Sequence, residues 1–249
     1  HGRDAILSGP AGGIVGMVGS AAPFGKQRLI GFDMGGTSTD VSHYAGRLER
    51  DNETIVAGTR IRAPMLRIHT VAAGGGSICR WDGARLLVGP ESAGANPGPA
   101  AYGRGGPQTV TDCNVLLGKI QPDHFPKLFG PAGDQPLDRD VVVEKFAVMA
   151  AEVGNITPEA LAEGLLGNAV QQMADAIKRI TIARGHDVSQ GYSLVGFGGA
   201  AGQHVCLVAD ALGVDEILLH PLAGVLSAYG MGLARPSAVR ERTLGLKPD

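Results

Sequence analysis

The chain has 249 residues, 44% of them hydrophobic, which is enough for one large domain or two small ones around a sizeable core. Its 22 Lys and Arg against 24 Asp and Glu give a formal net charge of −2, which argues against nucleic acid as a partner because a phosphate-binding surface needs a basic excess. The sequence shows neither an apolar run long enough to cross a bilayer nor a signal peptide, and Cys79, Cys113 and Cys206 have no metal-ligand or redox spacing. We therefore expect a cytoplasmic protein with reduced thiols and with neither a membrane nor nucleic acid as a partner.

Glycine is unusually abundant, with 39 residues, whereas aromatic residues make up only 4%. Clustered glycines in an apolar chain indicate tight turns or close approaches of the backbone to a ligand. The chain starts at His1, without an initiator methionine, and enters the small-residue stretch SGPAGG at residues 8–13 almost at once. We expect a segment cut from a longer protein.

The first part of the chain predicts a helix followed by strands. The helix over residues 8–22 has a bare face of glycines, which favours close packing against another helix or backbone. Strands are expected at residues 28–33, 38–45 and 47–56, with a glycine turn at 35–36 and a tight hairpin at 45–47.

Residues 59–140 differ in character, since they are rich in Gly and Pro and their strand signals are short. Repeated Gly and Pro exclude a regular helix over residues 93–107. A disordered linker would be more charged and less aliphatic, so we predict an insertion with long ordered loops beside the core sheet.

The last part alternates helices and strands, which implies a partly parallel sheet and an α/β fold. Asp138 and Thr157 are candidate helix caps, and Pro158 suits a first helical turn. The predicted helices cover residues 138–153, 157–184, 203–212 and 222–233, and the predicted strands cover residues 192–197 and 216–219.

The strongest chemical signal is residues 31–42 (GFDMGGTSTDVS), where Asp33 ends an apolar strand. A buried carboxylate needs donors or a cation, and the turn at Gly35 and Gly36 can present backbone N–H groups to an anion beside the hydroxyls of Thr37 and Ser38. Asp33 can then hold Mg²⁺ through water while the turn binds phosphate. The alternative is an ordinary Gly-Gly hairpin whose amides satisfy Asp33.

The second signal is residues 194–204 (LVGFGGAAGQH), a strand that runs into a glycine-rich turn at a helix start. Bare backbone at Gly198 and Gly199 lets a ring or ribose lie against the chain, and the helix start favours anions. A dinucleotide fingerprint also fits the glycines, but it requires an acidic residue at the end of the next strand, which here ends at His220. The remaining alternative is that these glycines only allow tight packing of strand on helix.

Together these stretches resemble the actin, sugar-kinase and heat-shock-chaperone superfamily. The hairpin at Asp33 resembles its second phosphate loop, the turn at 198–203 its adenosine motif, and the two small-residue helices its connecting helices. The upstream first phosphate loop is not in the sequence, so the chain resembles the second of two lobes. Residues 1–58 and 141–249 are then expected to form a ribonuclease H-like nucleotide-binding lobe, a mixed sheet with helices on both faces, and residues 59–140 an inserted loop-rich subdomain.

Within that superfamily the sequence is similar to the hydantoinase A/5-oxoprolinase family over nearly its whole length. The diagnostic stretches are FDMGGTSTD (32–40), TVAAGGGS (70–77), GPESAGANPGP (89–99), TVTD (109–112) and HPLAGVLSAYGM (220–231). Residues 234–236 depart from the acidic sequence expected there, which puts the terminal segment in doubt. The resemblance implies ATP-dependent hydrolysis of a cyclic amide such as 5-oxoproline or a hydantoin, through phosphorylation of the lactam carbonyl.

In that scheme Asp33 positions Mg²⁺, residues 35–38 hold phosphate and residues 198–203, including Gln203, hold the nucleoside of ATP. The implied partners are an N-terminal lobe of the same protein, a hydantoinase B-type subunit or domain, and the small cyclic amide. Without the first lobe the chain is expected to be inactive. The faces of the helices at 8–21 and 223–231 would normally pack on that lobe, so their exposure is expected to let the chain self-associate as a homo-oligomer. Alternatives are a subunit of an ATP-dependent ketone carboxylase and a non-catalytic nucleotide-sensing module.

Three weaker candidates each have a plainer interpretation. His69 with Gly74, Gly75 and Gly76 suggests a loop near substrate, or else a flexible turn of the insertion. His204 is a candidate catalytic acid or base, although a lone histidine is more often structural. Lys178 and Arg179 resemble the basic pair that flanks adenine in the chaperones, or else they lie on a solvated helix face.

Overall fold

The computed structural model describes residues 8–51, 53–56, 59–61, 65–183 and 185–235. The helices in these ranges are α1 (Ser8–Ala21), α2 (Val110–Leu116), α3 (Arg139–Val153), α4 (Pro158–Ile182), α5 (Val205–Leu212) and α6 (Leu226–Leu233). The strands are β1 (Arg28–Met34), β2 (Thr39–Ala45), β3 (Arg50–Asp51), β4 (Thr54–Val56), β5 (Thr59–Ile61), β6 (Met65–Leu66), β7 (His69–Val71), β8 (Ser77–Trp81), β9 (Leu86–Ser92), β10 (Ser193–Phe197) and β11 (Glu216–Leu219).

The main sheet has five strands in the order β11-β10-β1-β2-β7. β1, β10 and β11 run parallel, whereas β2 runs antiparallel to both β1 and β7. The carboxyl ends of β1 and β10 therefore meet at one edge of the sheet, where Asp33 pairs with Phe197. We call this the carboxyl edge, and the opposite edge, where β1 and β10 begin, the amino edge.

Helices cover both faces of the sheet. On one face Ile30 and Phe32 of β1 belong to a large core cluster with α3 and the apolar side of α4. On the other face Leu29, Val195 and Phe197 pack with α1 and α6. Because side chains alternate along a strand, the short apolar run of β1 supplies both cores. The predicted α/β fold with a mixed sheet and helices on both faces is confirmed.

The bare face of α1 is packed against α6 in the same chain. A Cβ added to Gly12 would lie 2.4 Å from the Ser227 carbonyl oxygen, and one added to Gly230 would lie 1.9 Å from the Gly12 carbonyl oxygen. The expectation that these glycine faces await the other lobe is therefore wrong, because the two helices use them to approach each other.

The predicted third strand over residues 47–56 is also wrong. Two short strands stand in its place, with β3 pairing with β6 and β4 with β5, and neither joins the main sheet. Residues 47–53 carry five charged side chains, so this segment has no apolar face to bury against the core. The hairpin at 45–47 is confirmed by a bridge between Tyr44 and Leu48.

Two predicted helices begin later than expected, because each is preceded by a 3₁₀ turn, at Ala201–Gln203 before α5 and at Ala223–Val225 before α6. Helix α2 was not predicted. Its signal is a capping box, since the Asp112 carboxylate accepts hydrogen bonds from the backbone N–H and the hydroxyl of Thr109. The same carboxylate accepts from the amides of Ala100 and Ala101, and burial raises its pKa.

The segment predicted as an insertion contributes an edge strand, β7, but no central strand among its described residues. Its α2 and the buried side chains of β8 and β9 belong to the same core cluster as β1 and α4. Helix α3 starts at Arg139, just before the predicted boundary at residue 141. The division of the chain into a lobe and a subdomain thus stays a prediction. Among the described helices none is long and apolar enough to cross a membrane.

Candidate functional site

Three glycine-rich turns meet at the carboxyl edge. The turn at residues 35–38 joins β1 to β2, the loop at 74–76 follows β7, and the turn at 198–203 follows β10. The Gly75 N–H donates to the Gly35 carbonyl (3.1 Å), and the Ala200 N–H donates to the Met34 carbonyl (3.0 Å). Sheet order thus brings together segments that are more than 100 residues apart along the chain.

Asp33 lies among these turns, near the end of β1 as the sequence predicts, and its side chain is half-buried. It pairs across the sheet with Asp40, whose Oδ1 accepts a hydrogen bond from the Thr70 hydroxyl at 2.7 Å. Burial, and then the charge of Asp40, raise the pKa of Asp33 to about 6. Two neighbouring, half-buried carboxylates suit a divalent cation bound through oxygen ligands.

The turn at 35–38 presents backbone donors to solvent. Gly36 and Thr37 are exposed, and within the described residues the amides of Gly36, Thr37 and Ser38 have no hydrogen-bond acceptor. None of the described amides donates to the Asp33 carboxylate, which disfavours an ordinary hairpin that satisfies it. Unpaired amides beside a carboxylate that attracts a cation suit a phosphate bound together with its metal.

The turn at 198–203 lies directly against Asp33. Gly198 has φ +87°, and an added Cβ would lie 2.4 Å from Asp33 Oδ1. Gly199 and Gly202 are exposed and have open space where a Cβ would be. This bare backbone beside the carboxylate fits the predicted nucleoside contact, while the Gln203 side chain accepts a hydrogen bond from Asn114 Nδ2 at 2.9 Å.

His204 is fully buried behind that turn. Its Nε2 lies 3.1 Å from Asn114 Nδ2, and burial, followed by the charge of Lys119, lowers the pKa of the imidazole to about 4. The ring is therefore neutral at pH 7 and accepts a hydrogen bond from the Asn114 amide. These contacts favour a structural role over the predicted acid or base role. Asn114 was not among the predicted site residues, because the helix that carries it, α2, was not predicted.

The loop at 74–76 braces the turn at 35–38. Its three amides all have acceptors inside the protein: Ser77 Oγ for Gly74, the Gly35 carbonyl for Gly75 and the Gly36 carbonyl for Gly76. A Cβ added to Gly74 would lie 2.6 Å from Ser38 N. The contacts favour bracing over direct binding of substrate. His69, in β7, is exposed and pairs with Val41.

Lys178 and Arg179 are not brought to the site. They lie in the last turns of α4, which leads to the start of β10 and hence to the amino edge. Lys178 Nζ donates to the Ala211 carbonyl (2.8 Å), at the end of α5 remote from the glycine turn, and Arg179 is exposed. This placement lends no support to their predicted contact with adenine, which stays a prediction.

Sequence comparison identifies relatives of this chain. The family model described as Hydantoinase/oxoprolinase matches residues 1–240. The 5-oxoprolinase of Saccharomyces cerevisiae is 50% identical over 242 residues, which is 94% of this chain and 19% of that protein. The alpha subunit of caprolactamase from Pseudomonas jessenii is 38% identical over 249 residues, 99% of this chain and 35% of that subunit.

Two solved structures are similar in fold. The crystal structure of ATP-dependent caprolactamase from Pseudomonas jessenii has a TM-score of 0.77 at 38% identity, covering 89% of this chain and 32% of that one. The nucleotide-free structure of acetone carboxylase, from a study of ATP-dependent acetone carboxylation, has a TM-score of 0.76 at 27% identity, covering 89% and 31%. The chain thus spans a fifth to a third of the length of these relatives.

Proposed function

Because the chain belongs to the hydantoinase/oxoprolinase family, we propose that it supplies one side of the ATP site of an enzyme that hydrolyses a cyclic amide of the 5-oxoproline or hydantoin type. The observation that carries this proposal is the convergence of the exposed 35–38 turn and the bare 198–203 turn on Asp33. The relatives named 5-oxoprolinase and ATP-dependent caprolactamase support the same choice of chemistry.

Each group at the carboxyl edge has a role in this proposal. Asp33, with Asp40 beside it, holds Mg²⁺, since hard cations prefer oxygen ligands. The free amides of residues 36–38 bind phosphate oxygens, and the backbone at Gly199 and Gly202 lies against the nucleoside. The loop at 74–76 keeps the phosphate turn in place through its hydrogen bonds to Gly35 and Gly36.

ATP supplies the phosphoryl group that makes the resonance-stabilised lactam carbonyl electrophilic toward water. The residues of this chain contribute by positioning and charge neutralisation, which is the main protein contribution in phosphoryl transfer. The other side of the cleft, the cyclic amide site and a hydantoinase B-type partner belong to the rest of the proposed assembly. The resemblance to acetone carboxylase supports a second candidate, a subunit of an ATP-dependent ketone carboxylase.

The test is ATP turnover by the full-length protein with Mg²⁺ and each candidate substrate. Turnover that requires 5-oxoproline or a hydantoin, with ring-opened product in proportion to ADP, supports the amidohydrolase. Turnover that requires a ketone and bicarbonate identifies the carboxylase instead. Nucleotide binding that changes conformation without turnover, on every substrate tried, would leave only the nucleotide-sensing module.

A further inference from the structure

The amino edge of the sheet, remote from the three glycine turns, holds two histidines and a glutamate. His43 lies in β2, Glu49 follows it in the connection to β3, and His186 lies between α4 and β10. One ligand atom from each of the three lies within 4.8 Å of the others. His43 pairs with Ile30, three residues before Asp33, so the strand rise puts about 10 Å between this group and the carboxyl edge.

The group is arranged around the buried ring of His43. Its Nδ1 lies 2.7 Å from Glu49 Oε1, and its ring stacks on that of His186 with the centroids 4.5 Å apart. On the other side, Nε2 of His43 lies 2.8 Å from the Tyr192 hydroxyl. Glu49 and His186 are half-buried. Both nitrogens of His43 are thus held in defined directions, one toward the group and one toward Tyr192.

We propose that His43, Glu49 and His186 form a binding site for a divalent transition-metal ion of the zinc class. Two imidazole nitrogens and one carboxylate oxygen are ligands that Zn²⁺ takes, with bonds of about 2.0–2.2 Å. Mg²⁺ prefers oxygen ligands, so this site selects a different ion from the one proposed at Asp33. When the ion binds, it takes the place of the direct contact between His43 and Glu49. Small side-chain movements then bring the three ligand atoms to bonding distance from it.

Tyr192 supplies the outer contact that a metal-bound histidine needs. When Nδ1 of His43 binds the metal, Nε2 carries the hydrogen and donates a hydrogen bond to the Tyr192 hydroxyl oxygen. Such a partner fixes the tautomer and the direction of the ligating ring. Replacing Tyr192 should therefore lower the affinity for the metal without removing a ligand.

Access to the fourth coordination position is open. Two clefts, of about 570 and 460 Å³, both include His186 in their walls. A water or a small ligand can therefore reach an ion held there. The ion would join two neighbouring segments, β2 and the residues around Glu49, to the connection from α4 to β10, which lies more than 100 residues further along the chain. A competing arrangement has no metal and keeps Glu49 between His43 and Arg67, whose Nη1 lies 3.8 Å from Glu49 Oε2.

The experiment measures zinc in the full-length protein after chelator treatment, reloading and gel filtration, by elemental analysis and by competition with a chromogenic chelator. The variant His186→Gln is compared with His124→Gln, which changes an exposed histidine outside the group. We expect the wild type and His124→Gln to hold one more equivalent of zinc than His186→Gln. We expect Tyr192→Phe to keep that equivalent with affinity lowered about 10- to 100-fold.

A spectroscopic readout separates ligation from an effect on folding. Co²⁺ in place of zinc should give visible d–d absorption in the wild type that is lost in His186→Gln, while circular dichroism of the two proteins stays the same. Equal zinc content in the wild type, His186→Gln and His43→Gln would overturn the proposal and leave the hydrogen-bonded arrangement with Arg67. If His43→Gln fails to fold, the zinc content and the Co²⁺ absorption of His186→Gln still decide the question, because His186 is only half-buried.

Discussion

Asp33 is the residue on which the proposed metal binding and folding make opposite demands. Its pKa is raised on folding, so between pH 3.8 and about 6 the folded protein holds more protons than the unfolded chain. Stability therefore falls as the pH rises through that window. At pH 7 the ionised carboxyl lowers the stability of the fold, and the proposed cation would offset that loss. A group kept for its ligand rather than for the fold has this signature.

We predict that Asp33→Asn abolishes Mg²⁺-dependent ATP turnover in the full-length protein and stabilises the ligand-free chain by about 1 kcal/mol at pH 7. The gain is well below the full linkage value because solvent screens the half-exposed carboxyl. Urea unfolding at pH 7 and at pH 3.5 measures it, and the difference between the two proteins should vanish at the lower pH. Unchanged turnover would refute the metal role of Asp33.

Gly198 and its neighbour Gly199 provide a matched pair. Gly198→Ala should cost about 2–4 kcal/mol, because φ is +87° and the new Cβ meets Asp33 Oδ1 and the Met34 carbonyl oxygen at 2.4 and 2.5 Å. Gly199→Ala, which meets no atom within 4 Å, should change stability by less than about 0.5 kcal/mol. Thermal unfolding of the two variants is the measurement, and equal costs would contradict this description of the turn.

Helices α1 and α6 pack so closely because small residues face each other. At Gly230 the nearest atom to an added Cβ is the Gly12 carbonyl oxygen, whereas Gly232, two residues later, is exposed and has open space. The contact leaves no room for a methyl group, so the helices must separate or tilt to accept one.

Gly230→Ala is therefore predicted to destabilise the chain by about 2–4 kcal/mol. The control, Gly232→Ala, should stabilise it by about 0.5 kcal/mol, since alanine favours the helix over glycine where nothing is in the way. Denaturation midpoints of the two variants, compared at the same m-value, decide the point. A destabilised control would mean that the exposed face of α6 is packed against something else.

Helix α2 is short, but its side chains form hydrogen bonds with several other segments. Its Asp112 carboxylate fixes Thr109, Ala100 and Ala101, and its Asn114 amide fixes Gln203 and His204. The predicted insertion is thereby tied to the turn at 198–203. Through these contacts the segment orders the carboxyl edge of the sheet, whether or not it is a separate domain.

In the proposed function the chain supplies one half of a cleft, with the proposed cation site at Asp33 and two bare turns at the carboxyl edge. In-line phosphoryl transfer requires charge neutralisation and alignment from both sides, and alignment alone contributes several kcal/mol. We predict that these 249 residues, expressed alone, fold but do not turn over ATP, while weak nucleotide binding survives. An Mg²⁺-ATPase assay with and without 5-oxoproline tests this, and substrate-stimulated hydrolysis at ordinary enzymatic rates would contradict it.

Self-association of the same chain remains a prediction, but a different surface is now expected to cause it. The glycine faces of α1 and α6 are used within the chain, so the surface in question is the apolar group around α6. Its exposed side chains are Leu219, Leu222, Val225, Met231 and Leu233. Contiguous exposed apolar side chains favour association.

Local chemistry determined the class of fold, the helix caps at Asp138 and Thr157, and the glycine turns beside Asp33. Those features depend on residues close together in the sequence: apolar runs that end in glycine pairs, and cap residues before helical patterns. The short strands after Ala45 were mispredicted because pairing partners compete over longer distances than a local pattern records.

The tertiary structure decided which distant segments meet. Gly74, Gly75 and Gly76 became a brace because sheet order puts β7 beside β2, and the bare face of α1 was met by α6 rather than by another lobe. Lys178 lies at the amino edge because it is in the last turns of α4. His43 and His186, 143 positions apart in the sequence, were brought together by the pairing of β1 with β2 and β10. Such contacts depend on strand order and helix packing in space, which the periodicity of a single chain does not encode.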